Sequence, residues 1–208
     1  MDYCDDFFER NEEAHTGSFK MIRTIEDYWS AVKADRFLGT AWCFENPRRV
    51  ESTELVSYIG EFKVDSEGRQ VITNVDFSLK IPKIPYSLLR VIIDDFKSHP
   101  TEERIFQVRW DVLAKEYVIV KPTEFRSSKC AIEYVFENIP SQLKPILEIH
   151  SHNTMQAYFS KTDDNDELLH GFYGVVGTVD AEPTMRFRVG MEGFFTEIPT
   201  YRLFDLEM

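Results

Sequence analysis

The clearest periodicity in the chain lies between Pro85 and Pro100. Leu88, Leu89, Ile92, Ile93 and Phe96 recur at helical spacing and predict one buried helix face. Pro85 suits the first turn, and Ser98-His99-Pro100 ends the pattern. A second stripe of Ile25, Tyr28, Trp29 and Val32 predicts a helix over residues 24–37, with Thr24-x-x-Asp27 at its start and Gly39 beyond its end. Elsewhere the period drops to two. Val71, Thr73, Val75, Phe77 and Leu79 alternate with mostly polar residues, as a half-buried strand does. The turn signal Asp65-Ser66-Glu67-Gly68 joins that strand to another over residues 55–64. Short strands are expected at residues 40–44, 104–112, 116–121, 131–136, 145–150, 172–179 and 184–190, with a helix from Thr162 to about His170. Residues 2–17 are charged and read as a loose lead-in or a short helix. Phe194, Phe195, Tyr201 and Phe204 form an aromatic tail expected to pack back on the sheet. This order predicts an α/β (α+β) fold, a mixed β-sheet flanked by helices. The stiff junction Ile81-Pro82-Lys83-Ile84-Pro85 divides it into an N-terminal extension or accessory subdomain, residues 1–80, and a main domain, residues 81–208.

Composition narrows the function classes. The chain has 208 residues, 43% of them hydrophobic, with 17 Phe and 9 Tyr, enough for a sizeable core. Its net charge of −12 argues against nucleic acid or an anionic membrane as partner, because both call for basic patches. Cys4, Cys43 and Cys130 are scattered and form no C-x-x-C pair, so neither a thiolate zinc knuckle nor a disulfide framework is indicated. The acidic N-terminus lacks an apolar signal segment, and no run of 18 apolar residues occurs. A cytoplasmic protein is expected.

Two of the five histidines fall two residues apart. His150-Ser151-His152 is followed by seven residues and then Ser160-Lys161-Thr162-Asp163, giving H-x-H-x7-S-x2-D. Residues two apart on a strand share a face, so the two imidazoles can grip one ion. The intervening loop is long enough to return Asp163, at a helix start, to the same point. Two imidazoles and a carboxylate suit zinc, and catalytic zinc sites use three protein ligands with water in the fourth position. Such a site activates water and polarises a carbonyl, which is the chemistry of amide hydrolysis. Ser160 has two readings. Its hydroxyl can donate to a developing oxyanion, and Ser160-x-x-Asp163 also fits a helix N-cap. Asp164, Asn165, Asp166 and Glu167 read as a solvated helix face near the positive end of the helix dipole.

At every ligand position the string resembles the zinc motif of the JAMM (JAB/MPN) metallopeptidase family, and the resemblance extends over roughly Ile84 to Pro199. It implies a zinc ion held by His150, His152 and Asp163, and a catalytic domain over residues 81–208. In that family the general base is a Glu just before the first core strand. Thr101-Glu102-Glu103-Arg104 occupies that place here. Glu103 is favoured because it abuts the strand, with Glu102 as the alternative. Glu148 is a further competitor, since it shares a strand face with both histidines. Many family members have Pro after the second His, where this chain has Asn153; the departure points to a bacterial-type member. The resemblance implies hydrolysis of isopeptide or peptide bonds at the C-terminus of a ubiquitin-like protein, in deconjugation or precursor processing. Its partners would be the ubiquitin-like protein or its conjugates, with E1-like and E2-like enzymes. Two other readings follow from the same likeness: an inactive binding scaffold and a phage-type cell-wall peptidase. A zinc deaminase is not indicated, because neither H-x-E nor P-C-x-x-C is present.

Overall fold

The structure, a computed structural model, describes residues 39–43, 48–127 and 132–206. The expected lead-in at residues 2–17 and the helix at 24–37 lie outside the described residues. Four strands come first: β1 (Gly39–Cys43), β2 (Arg48–Ser52), β3 (Val56–Val64) and β4 (Gln70–Leu79). They pair antiparallel in chain order. The β3–β4 hairpin turns where expected, with Asp65 Oδ1 accepting from the N–H groups of Glu67 and Arg69. β5 (Ile84–Pro85) leads into α1 (Tyr86–Ser98), whose Leu89, Ile92, Ile93 and Phe96 are buried as the stripe predicts.

A six-stranded mixed sheet follows. It comprises β6 (Ile105–Asp111), β7 (Glu116–Val120), β10 (Leu143–Ser151), β11 (Gly171–Gly177), β12 (Thr184–Met191) and β13 (Phe194–Ile198), in the order β13-β12-β11-β10-β6-β7. A separate hairpin of β8 (Glu124–Ser127) and β9 (Ile132–Val135) interrupts the chain before β10. β10 and β11 are the parallel pair of this sheet. A parallel pair needs a crossover rather than a tight turn, and the crossover here carries α2 (Lys161–Asp166). The chain closes with α3 (Thr200–Leu203) and β14 (Phe204–Asp205), which pairs with β5.

The fold is mixed α+β, as expected, and the structure adds what covers the sheet. One face packs on α1 and on the four-stranded sheet together. Phe96 meets Phe106 with ring centroids 5.5 Å apart, and Phe77 meets Phe172 edge-on at 4.6 Å. The Val75 N–H donates to Thr196 Oγ1 at 2.8 Å. Val56, Tyr58, Phe62, Ile72 and Val75 therefore share one buried cluster with Ile84, Val189, Met191 and Phe204. The other face of the six-stranded sheet carries Gln107, Glu148, Tyr173 and Arg188 in register across its strands, with His150 two residues beyond Glu148 on β10.

Three expectations need correction. The aromatic tail does not lie on the sheet as a unit. Phe194 and Phe195 belong to edge strand β13, Phe204 is buried, and Tyr201 is 59% exposed. The helix after the motif stops at Asp166, four residues short of His170, because it buries none of its own residues and has no apolar face to extend. β2 and β8 were not expected, since Arg48-Arg49-Val50-Glu51-Ser52 and Glu124-Phe125-Arg126-Ser127 are too short and charged to show alternation.

Candidate metal centre

β10 delivers both histidines to one point. His150 is its penultimate residue, and His152 follows its end, held by donation of its N–H to the Val176 carbonyl at 2.7 Å. The two Nε2 atoms stand 3.2 Å apart, and His150 Nε2 is 3.5 Å from Asp163 Oδ1. All three ligand atoms lie within 4.8 Å of one another. Donors about 2.0–2.1 Å from a tetrahedral zinc stand about 3.3–3.4 Å apart, and the two distances from His150 are close to that spacing. The protonation state suits it as well. Burial pushes both imidazoles below their ordinary pKa, against the pull of Asp163, so they stand neutral with lone pairs available. His152 is additionally flanked by the Tyr158 ring, edge-on at 4.6 Å.

Asp163 reaches the site through a capping box. Its N–H donates to Ser160 Oγ at 3.2 Å, while the Ser160 N–H donates to Asp163 Oδ2 at 2.5 Å. The box fixes one carboxylate oxygen and leaves Oδ1 aimed at His150. Ser160 thus caps the helix, and it also lines the cavity, where its hydroxyl proton is available to a ligand. The two readings of Ser160 are compatible in this geometry.

The candidate base separates cleanly. Glu103 is 7% exposed and lines the same cavity, of about 330 Å³, as the three ligands. Burial, then the nearby Asp163 carboxylate, pushes its carboxyl up to about 7. Glu102 is exposed and does not line the cavity. Glu148 also lines it, but both its oxygens are engaged, by Gln107 Nε2 at 2.7 Å and the Tyr134 hydroxyl at 2.9 Å. Glu103 is held opposite the histidines by Ser151. Ser151 donates its N–H to the Arg104 carbonyl at 2.8 Å, and its Oγ accepts from the Arg104 N–H at 3.0 Å. Arg104 Nε is in turn 2.7 Å from Asp95 of α1.

The acidic run after Asp163 is not wholly a solvated face. Asp164 Oδ1 accepts from Arg188 Nη1 at 2.5 Å. Glu167 is 7% exposed and accepts from Arg188 Nε and Nη2 at 2.8 and 2.6 Å. Burial raises the Glu167 carboxyl and Arg188 opposes that rise. The sequence gives little warning of this, because Arg188 is one arginine in a strand whose polar face is expected to be exposed.

The loop between the ligands has its own requirements. Asn153 adopts a φ of 50°, which asparagine tolerates and proline, fixed near −65°, cannot adopt. The departure from the family's Pro is therefore built into the loop's backbone. Residues 90–190, from within α1 to within β12, match a family model described as prokaryotic homologs of the JAB domain. That stretch is similar to a JAB domain. That match spans Glu103, the three ligands and Arg188. No curated protein matches the chain. The JAB family includes hydrolases, and its prokaryotic members can be inactive; in the matched stretch His150, His152 and Asp163 form a set able to hold a metal ion. Among the described residues no helix is long and apolar enough to cross a membrane.

Proposed function

We propose that this protein is a zinc-dependent peptidase or isopeptidase acting at the C-terminus of a ubiquitin-like protein. The observation that carries the reading is the buried Glu103 carboxyl facing the same cavity as a complete His150–His152–Asp163 set. A scaffold that only binds partners has no use for either. Zinc held by His150, His152 and Asp163 would lower the pKa of a water toward neutrality and polarise the scissile carbonyl. Glu103 is placed to accept a proton from a water in the cavity and would return it to the departing amine, a task suited to a buried carboxyl. Ser160 Oγ donates to the oxygen on which negative charge develops. No cysteine enters the reaction. Selectivity comes from binding: a tail of small residues can enter the cavity as an extended strand.

The test incubates the zinc-loaded protein with a ubiquitin-like protein fused to a short C-terminal tail, and separately with cell-wall peptides. Tail release should stop with a chelator and persist with a thiol-blocking reagent. It should fall by about 10²–10⁴-fold in Glu103→Gln and by about 10²–10³-fold in Ser160→Ala. Cleavage of cell-wall peptides alone would replace the substrate reading. Zinc binding with cleavage of neither substrate would leave a binding scaffold.

A further inference from the structure

The helix that carries Asp163 lacks what usually holds a helix in place. α2 has six residues and buries none of them. Isolated helices shorter than about 12–15 residues are marginal in water, and in proteins an apolar face normally makes up the deficit. The capping box fixes the first turn internally, but it does not attach the turn to the sheet.

Apart from the Asp163–His150 contact, the side chain that ties α2 to the sheet among the described residues is Arg188 on β12. Arg188 is 4% exposed. Its Nη1 donates to Asp164, next to the ligand, and its Nε and Nη2 donate to Glu167, the helix C-cap. The guanidinium also stacks on Phe159, at 4.0 Å, just before the N-cap. Phe195 of β13 supports it at 3.6 Å. These contacts bracket Asp163 on both sides, and the Glu167 N–H donates directly to the Asp163 carbonyl at 2.9 Å. The strand that bears Arg188 pairs directly with β11, the parallel neighbour of the histidine strand. We propose that Arg188 is the positioning residue that holds the Asp163 carboxylate against the two histidines, a role that rests on the metal reading above. It is not in the candidate metal set and does not line the cavity. A lysine cannot replace it, because the grip uses a planar fork that makes three hydrogen bonds and stacks on rings.

The test compares wild type with Arg188→Lys, which keeps the charge and loses the fork. Zinc affinity is measured by competition with a chromophoric chelator, and ligand geometry by the visible absorption of the cobalt-substituted protein. The melting temperature of the metal-free protein is recorded alongside. Arg188→Lys should bind zinc about 10- to 100-fold more weakly, the usual cost of losing a partner that orients a ligand, and should give an altered cobalt spectrum. If Arg188→Lys does not fold, Asp164→Asn combined with Glu167→Gln decides by the same readouts, since it leaves Arg188 and weakens its hold on the helix. A lower melting temperature with wild-type zinc affinity and cobalt spectrum would overturn the proposal and make Arg188 a purely structural residue. Failure of the wild type itself to bind zinc would instead remove the metal reading.

Discussion

Glu103 and Glu102 are adjacent and chemically alike, and their surroundings set them apart. Glu102 is exposed, whereas Glu103 is taken out of water beside Asp163 and its carboxyl is pushed up to about 7. That rise has a consequence for the metal-free protein. An unfolded Glu titrates near 4.3. Between that value and about 7, the folded chain holds a proton that the unfolded chain releases, so stability falls as pH rises through this window. Glutamine has no such proton. Glu103→Gln should match wild type in stability near pH 4 and exceed it by on the order of 3–4 kcal/mol near pH 8, since a tenfold change in proton affinity corresponds to about 1.4 kcal/mol. Urea denaturation of the metal-free proteins across that pH range measures the difference. A constant difference would mean that the carboxyl is hydrated in solution and poorly placed to act as a base.

At the scale of elements, legibility follows periodicity. The α1 stripe and the alternation of β4 each span many residues, and both elements form where the pattern puts them. The candidate set of His150, His152 and Asp163 stands out in the sequence because chemistry and spacing coincide in one short string. The contacts around it do not, because their members are distant in sequence and ordinary in type: Arg188 on Glu167, Tyr134 on Glu148, and Asp95 on Arg104. Gly177 belongs with them. At the end of β11 a Cβ would come within 2.2 Å of the Met155 carbonyl oxygen and 2.3 Å of the Ala157 nitrogen, both of them backbone atoms that cannot rotate away. The loop joining His152 to Ser160 is thus laid directly against that glycine, tied there by the Thr178 N–H to the Met155 carbonyl at 2.6 Å and the Ala157 N–H to Thr184 Oγ1 at 2.9 Å. Gly177→Ala should push the loop away, cost at least about 1–3 kcal/mol as overpacking does, and weaken zinc binding in the same step. Thermal unfolding and zinc stoichiometry check this together. A variant with wild-type values of both would show that the loop sits farther from β11 in solution.

Across the whole molecule, the junction at residues 81–85 divides the sequence without dividing the core. Phe77 lies against Phe172, a Cβ added at Gly60 would meet Met191 Sδ at 3.1 Å, and the Arg202 guanidinium reaches back over the Phe77 ring and to Asp76 Oδ1, at 2.6 Å. The β3–β4 hairpin and the six-stranded sheet therefore bury each other's apolar surface, and neither can open without exposing the other's. Zinc tests this coupling at a distance. A ligand that binds only the folded state stabilises it by about 2.7 kcal/mol at 100 times its dissociation constant. If the described chain unfolds as one cooperative unit, that gain reaches every amide that exchanges through global opening. Buried amides of Tyr58 and Phe77, which lie outside the metal cavity, should then slow in hydrogen exchange as much as those of Ile149 and Val175 when zinc is added. His150→Ala combined with His152→Ala should abolish both effects. Protection confined to β10 and β11 would show instead that the four-stranded sheet opens on its own, and that the boundary near residue 80 separates two folding units despite their shared core.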